Sequence, residues 1–143
     1  MDNSLKTKIN FEISKIDDLV KKSSPLLEKC KKQEPDFIEL NAIGSVLHSY
    51  YNGLESIFKL IYKSSEEKPL SGTIWHSELL NYIFSKTDIL DQKLFTDLKD
   101  YLGFRHVFRH SYSFELNWDR VKSLFLGLND NWQTVKNCLQ INL

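Results

Sequence analysis

The sequence predicts an all-α fold, an up-and-down bundle of about five helices. Three observations lead there. Only 5 Gly and 3 Pro punctuate 143 residues, too few for a turn-rich β fold of this length. Apolar residues recur at spacings of three and four along most of the chain, the period of a helix with one buried face. No stretch of any length alternates apolar and polar residues as a half-buried strand does. A chain of this size is expected to form one domain, residues 1–143, with enough length to bury a core.

The first helix is predicted from about Leu5 to Gln33. Ile9, Ile13, Ile16, Val20, Leu27 and Cys30 mark its buried stripe. Pro25 is expected to kink it, because proline lacks the N–H that the helix ladder needs. The lysines at 21, 22, 29, 31 and 32 read as a solvated face. Asp36 is placed to cap a second helix. Its seam, Leu40, Ile43, Leu47, Tyr50, Leu54, Ile57 and Ile61, alternates three and four over about six turns, a length suited to bundle packing. Tyr51, Glu55 and Phe58 form an adjoining stripe that suits either the same bundle or a second subunit.

Lys63–Gly72 reads as a polar loop. Ser71 or Thr73 is expected to cap a third helix carrying Trp75, Leu79, Leu80, Ile83 and Phe84, which Thr87 and Asp88 end. A fourth helix starts near Asp91. Asn117 and Asp119 mark the start of the last helix, with Val121, Leu124, Phe125, Leu128, Trp132, Val135 and Leu139 on its apolar face. Gly127 lies within it, at a cost of about 1 kcal/mol relative to alanine.

The net charge is zero, so total charge does not mark the chain as a nucleic-acid binder, and any RNA site must come from local clustering. Cys30 and Cys138 stand apart, outside any CxxC pattern, and read as buried thiols of a reducing compartment. The N-terminus lacks a signal-peptide core. The longest uncharged run, Leu40 to Leu54, is too short and too polar to span a bilayer. A soluble, cytoplasmic protein with no membrane partner is the expectation.

Chemistry concentrates in the fourth helix. From Tyr101 to Tyr112 (YLGFRHVFRHSY) there are two arginines, two histidines and no acid. Leu94, Leu98, Tyr101, Arg105, Phe108 and Tyr112 follow one stripe, so Arg105 occupies a position where the pattern asks for an apolar residue. A buried arginine needs a carboxylate, a carbonyl or a bound anion. An ion pair with Glu55 of the second helix is one solution. A phosphate site is another, with Arg109 and Tyr112 further along the same face and Tyr101, Phe104, Phe108 and Tyr112 as stacking surfaces for unpaired bases. His106 and His110, four residues apart, suit either a metal pair, for which no third ligand is evident nearby, or general acid–base catalysis. Flanking arginines favour the neutral imidazole. Arg105 and His110 are five residues apart, about 140° around a straight helix. They serve one site only if the helix ends or bends between them, or if a second subunit completes it.

Arg105-x4-His110-Ser-Tyr112 resembles the Arg-x4-6-His motif of HEPN-domain proteins. It is closer still to the HepT-like ribonuclease toxins, whose signature continues to a tyrosine two residues past the histidine. Three segments carry the likeness in order along nearly the whole chain: Leu47 to Glu55 (LHSYYNGLE), Trp75 to Leu80 (WHSELL) and Gly103 to Trp118 (GFRHVFRHSYSFELNW). The resemblance implies a HEPN-like bundle acting as a two-fold homodimer. It implies a metal-independent endoribonuclease that needs no cofactor and acts on RNA, tRNA or mRNA. His110 would assist attack of a ribose 2′-hydroxyl on the adjacent phosphate, and Arg105 would stabilise the charge that develops. The products would be a 2′,3′-cyclic phosphate and a 5′-hydroxyl. The expected partner is a minimal nucleotidyltransferase antitoxin, which can attach AMP to the motif tyrosine, here Tyr112, and fill the site with negative charge. His106 stands where many HepT-like proteins have Asn, and Arg109 is a second arginine within the motif. Both are candidates for RNA contacts, and Glu55 matches a family glutamate that could orient Arg105. The alternative function is a non-catalytic HEPN module that dimerises and binds a nucleotide or a nucleotidyltransferase. A metal hydrolase using His106 and His110 is the third.

Overall fold

A computed structural model describes residues 2–65, 68–110 and 116–143. These residues fold into six helices with no strand among them: α1 (Asn3–Cys30), α2 (Phe37–Ser64), α3 (Trp75–Lys86), α4 (Gln92–His110), α5 (Trp118–Leu126) and α6 (Leu128–Asn142). Helix α2 is the central element and touches α1, α3, α4 and α5.

Each helix begins for a local reason. The Asp2 carboxylate accepts from Leu5 N at 2.7 Å and starts α1, which runs through Pro25 as a single helix. Asp36 and Glu39 form a reciprocal capping box at the start of α2: the Asp36 carboxylate accepts from Glu39 N at 2.8 Å, and Glu39 accepts from Asp36 N at 3.0 Å. Asp91 accepts from Leu94 N at 2.8 Å where α4 begins, and Asn117 accepts from Asp119 N at 2.8 Å where α5 begins. Helix α3 departs from expectation. Neither Ser71 nor Thr73 caps it; the chain turns at Gly72, whose φ is +94°, and Ile74 precedes the first helical residue without a side-chain cap.

The sequence also predicts one helix where the structure has two. Gly127, at φ −89° and ψ 0°, ends α5 and opens α6. Glycine is the poorest helix former after proline, so a break there costs little. Leu128, Trp132, Val135 and Leu139 of α6 keep the apolar stripe of α5 and are buried in the core. Trp132 Nε1 then donates to Asp17 on α1 at 2.7 Å, and Tyr50 Oη donates to Asn131 at 2.5 Å.

The α2 seam is buried as predicted from Ile43 to Ile61. The adjoining stripe of Tyr51, Glu55 and Phe58 is buried as well, inside the same bundle, so it is not a surface left for a second subunit. Close approach is bought at Gly44. A Cβ there would lie 2.7 Å from Phe108 Cε1 and 2.9 Å from Leu116 Cδ1, so only glycine lets α4 and the start of the C-terminal segment settle against α2. No described helix is long and apolar enough to cross a membrane.

Candidate active site

The site grows from a polar stripe on a helix that is otherwise buried and apolar. His48, Asn52 and Glu55 follow spacings of four and three on α2, so they share one face. Arg105 comes to that face from α4, and His76 comes from α3. Burial of a charge demands partners, and these residues supply them to one another.

Arg105 is the hub, with 11 % of its side chain exposed. Its Nε donates to Asn52 Oδ1 at 2.7 Å. Glu55 Oε1 lies 3.7 Å from the same nitrogen, close enough for an ion pair but too far for a hydrogen bond. The expected Arg105–Glu55 pair therefore exists, while the short bond goes to an asparagine. Glu55 in turn makes its short contact with His76, Oε2 to Nδ1 at 2.7 Å. The Glu55 side chain is 4 % exposed, and its carboxylate is shared between an arginine and a histidine. Among the described residues, the terminal guanidinium nitrogens of Arg105 have no hydrogen-bond partner.

The donor logic fixes the next link. Arginine only donates, so the Asn52 oxygen must face Arg105 and its amide N–H₂ must face His48 Nε2, 3.0 Å away. His48 Nε2 therefore accepts, and the proton of the neutral ring sits on Nδ1. That atom is buried and has no partner among the described residues. Burial, and then the cations Arg105 and Arg109, hold the His48 pKa below its ordinary value, while Glu55 acts weakly the other way. The Phe108 ring covers the imidazole at 5.3 Å between centroids. Tyr51 adds a fully buried hydroxyl that no described group bonds, and burial, followed by nearby Glu55, pushes its pKa far up.

The other predicted site residues lie elsewhere on α4. His106, Arg109 and His110 are exposed. The His106 and His110 rings stand 4.8 Å apart, and no group of three or more His, Cys, Asp or Glu side chains among the described residues could hold an ion there. Helix α4 runs unbroken from Gln92 to His110, so it does not end between Arg105 and His110. Within one chain the two are not brought together. Tyr112 lies outside the described residues. Of the proposed stacking surfaces, Tyr101 is a core residue: its hydroxyl donates to Leu124 O at 2.7 Å and its ring meets Tyr50 edge-on.

A family model described as HepT-like protein matches residues 42–141. The chain belongs to the HepT-like family. No curated protein and no solved structure matches it. The match spans α2 to α6 almost entire, so every residue of the polar network lies within the family region of this HepT-like chain. Sequence reasoning found Arg105 and Glu55 and missed Asn52, His48 and His76. The signal was present: three polar residues at four-and-three spacing beside an unbroken apolar seam mark a face turned toward another polar group.

Proposed function

We propose that this HepT-like protein is a metal-independent endoribonuclease toxin. Arg105 carries the reading. Its Nε is committed to Asn52 and its charge to Glu55, while its outer nitrogens are uncommitted among the described residues. A guanidinium so held keeps a fixed direction and offers paired donors to a phosphate. The helix continues regularly to His110, an exposed imidazole free to meet a substrate.

In this reading a ribose 2′-hydroxyl attacks the adjacent phosphorus. The P–O2′ bond forms, the P–O5′ bond breaks, the 2′ proton passes to His110, and the leaving 5′ oxygen takes a proton from solvent, to which His110 returns its own. Arg105 stabilises the added charge on the phosphoryl oxygens. The site is completed across a two-fold axis, because Arg105 and His110 lie about 140° apart on one helix. Gly103, Val107 and His110 form a strip on the outward side of α4, and a Cβ at Gly103 would meet nothing within 4 Å, which suits close approach of a second α4. Arg109 and His106 contact the RNA. A minimal nucleotidyltransferase antitoxin silences the toxin by placing AMP on Tyr112. The compartment is the cytoplasm.

A second reading draws on the same network: the Nε of Arg105 is bonded to Asn52 and paired with Glu55 within the chain, as in a purely structural ion pair, in a non-catalytic HEPN module. One assay separates the two. Purified protein with unmodified intact mass is incubated with RNA in EDTA beside His110→Ala. Cleavage by the parent, leaving 2′,3′-cyclic phosphate and 5′-hydroxyl ends, with a loss of about 100-fold or more in the variant, supports the toxin. Silence from a folded, unmodified dimer on both tRNA and mRNA refutes it.

A further inference from the structure

One helical turn along α2 from Glu55 lies a cleft of about 370 Å³ that the reading above does not use. Trp75 and Tyr62 give it aromatic surfaces, Leu70 and Leu79 give it apolar walls, and Lys59 and Lys63 stand at its edge. We propose that this cleft is a nucleotide subsite, which takes one unpaired base of single-stranded RNA while Lys59 and Lys63 hold the flanking phosphates. The proposal rests on the ribonuclease reading and adds to it the place where the strand is gripped.

The chemistry of the lining points to a nucleotide. Unpaired bases are bound by aromatic and apolar surfaces beside cations that follow the backbone. Lys59 and Lys63 are four residues apart on one helix face and both are exposed. Neither has an ion-pair partner among the described residues. The Lys59 ammonium instead rests over the Trp75 ring, 4.4 Å from its centroid. A lysine held only there is free to swing onto a phosphate as a base takes its place against the indole. The chain has no net charge, so an RNA strand must be held by local cations of this kind.

The cleft is also linked to the Arg105 site through side-chain contacts. Trp75 lies against His76, ring centroid to ring centroid 3.6 Å, and His76 bonds Glu55, which faces Arg105. Glu55 and Lys59 are one turn apart on α2, about 6 Å along its axis.

The tryptophans supply the test. Trp118 and Trp132 are buried, and Trp75 is the partly exposed one, so a ligand-dependent change in emission reports the cleft. The full chain is titrated with a single-stranded 2′-O-methyl oligonucleotide, which cannot be cleaved, so the outcome is independent of nuclease activity. Saturable quenching is expected in the parent and in Arg105→Ala. Lys59→Ala/Lys63→Ala should bind about tenfold more weakly, with the salt slope reduced by about 1.4 for two lost phosphate contacts. Trp75→Ala, followed by anisotropy of a labelled oligonucleotide, should lose about tenfold, the contribution of one base stack. Binding that leaves the emission unchanged, or that the lysine pair does not affect, overturns the proposal. So does quenching abolished by Arg105→Ala, which confines the strand to the first site. Emission that follows protein concentration and ignores RNA assigns the cleft to a second copy of the chain and overturns it too.

Discussion

Replacing Glu55 by Gln tests whether the buried network is held by charge or only by shape. The amide is nearly isosteric and can still bond His76, so what is removed is the negative charge facing Arg105. At 3.7 Å the attraction between unit charges is about 4–5 kcal/mol in an effective dielectric of about 20. Part of that is returned, because a buried carboxylate no longer has to be desolvated. Arg105 also keeps its 2.7 Å bond to Asn52. A net loss of about 2–3 kcal/mol is expected, below the roughly 3–5 kcal/mol typical when one partner of a fully buried pair is deleted. For a chain of this length that corresponds to a fall in Tm of roughly 6–12 °C. Urea denaturation of the parent, Glu55→Gln, Arg105→Met and the double variant gives the coupling directly. The double variant should be more stable than the summed single losses predict by about 2 kcal/mol, since removing both charges leaves neither stranded. Losses that add to within about 0.5 kcal/mol would refute the pairing and leave Asn52 as the partner that matters.

Two further perturbations probe the neighbouring contacts. His48 has a folded pKa below its ordinary 6.5, so its contribution to stability is full above that value and is lost as pH falls from there through the lower folded value. The stability difference between the parent and His48→Gln should therefore be flat above pH of about 7 and shrink toward pH of about 5; an equal difference at both values in paired denaturation curves would count against the buried, neutral imidazole. Gly44→Val places atoms within 2.7 Å of Phe108 and 2.9 Å of Leu116, and should cost about 1–3 kcal/mol by overpacking in the same assay. No loss would mean that α4 does not sit so closely on α2.

The helices were legible in the sequence because their causes are local. The three-and-four seam from Leu40 to Ile61 needs only one buried face, and the caps at Asp36 and Asn117 need only a short polar side chain a few residues ahead of its N–H. Arg105 was legible as a contradiction, a charge on an apolar stripe, and Glu55 as the acid on a helix long enough to reach it. The break at Gly127 was less so, because glycine is compatible with both a continuous and an interrupted helix and the apolar stripe is the same in either.

What only the tertiary structure decided is who bonds whom inside the cluster. Asn52 takes the short bond to Arg105, Glu55 turns its other oxygen to His76, and His48 is left holding a proton on its buried nitrogen. These residues lie 53, 21 and 4 positions from their partners, and hydrogen bonds select by direction at distances under 3.5 Å. Periodicity places a residue on a face, but bundle packing sets how far two faces are apart and which atoms they turn toward each other. The sequence therefore determined the elements and the chemistry each one carries, and the packing of α2 between α3 and α4 decided how that chemistry is joined.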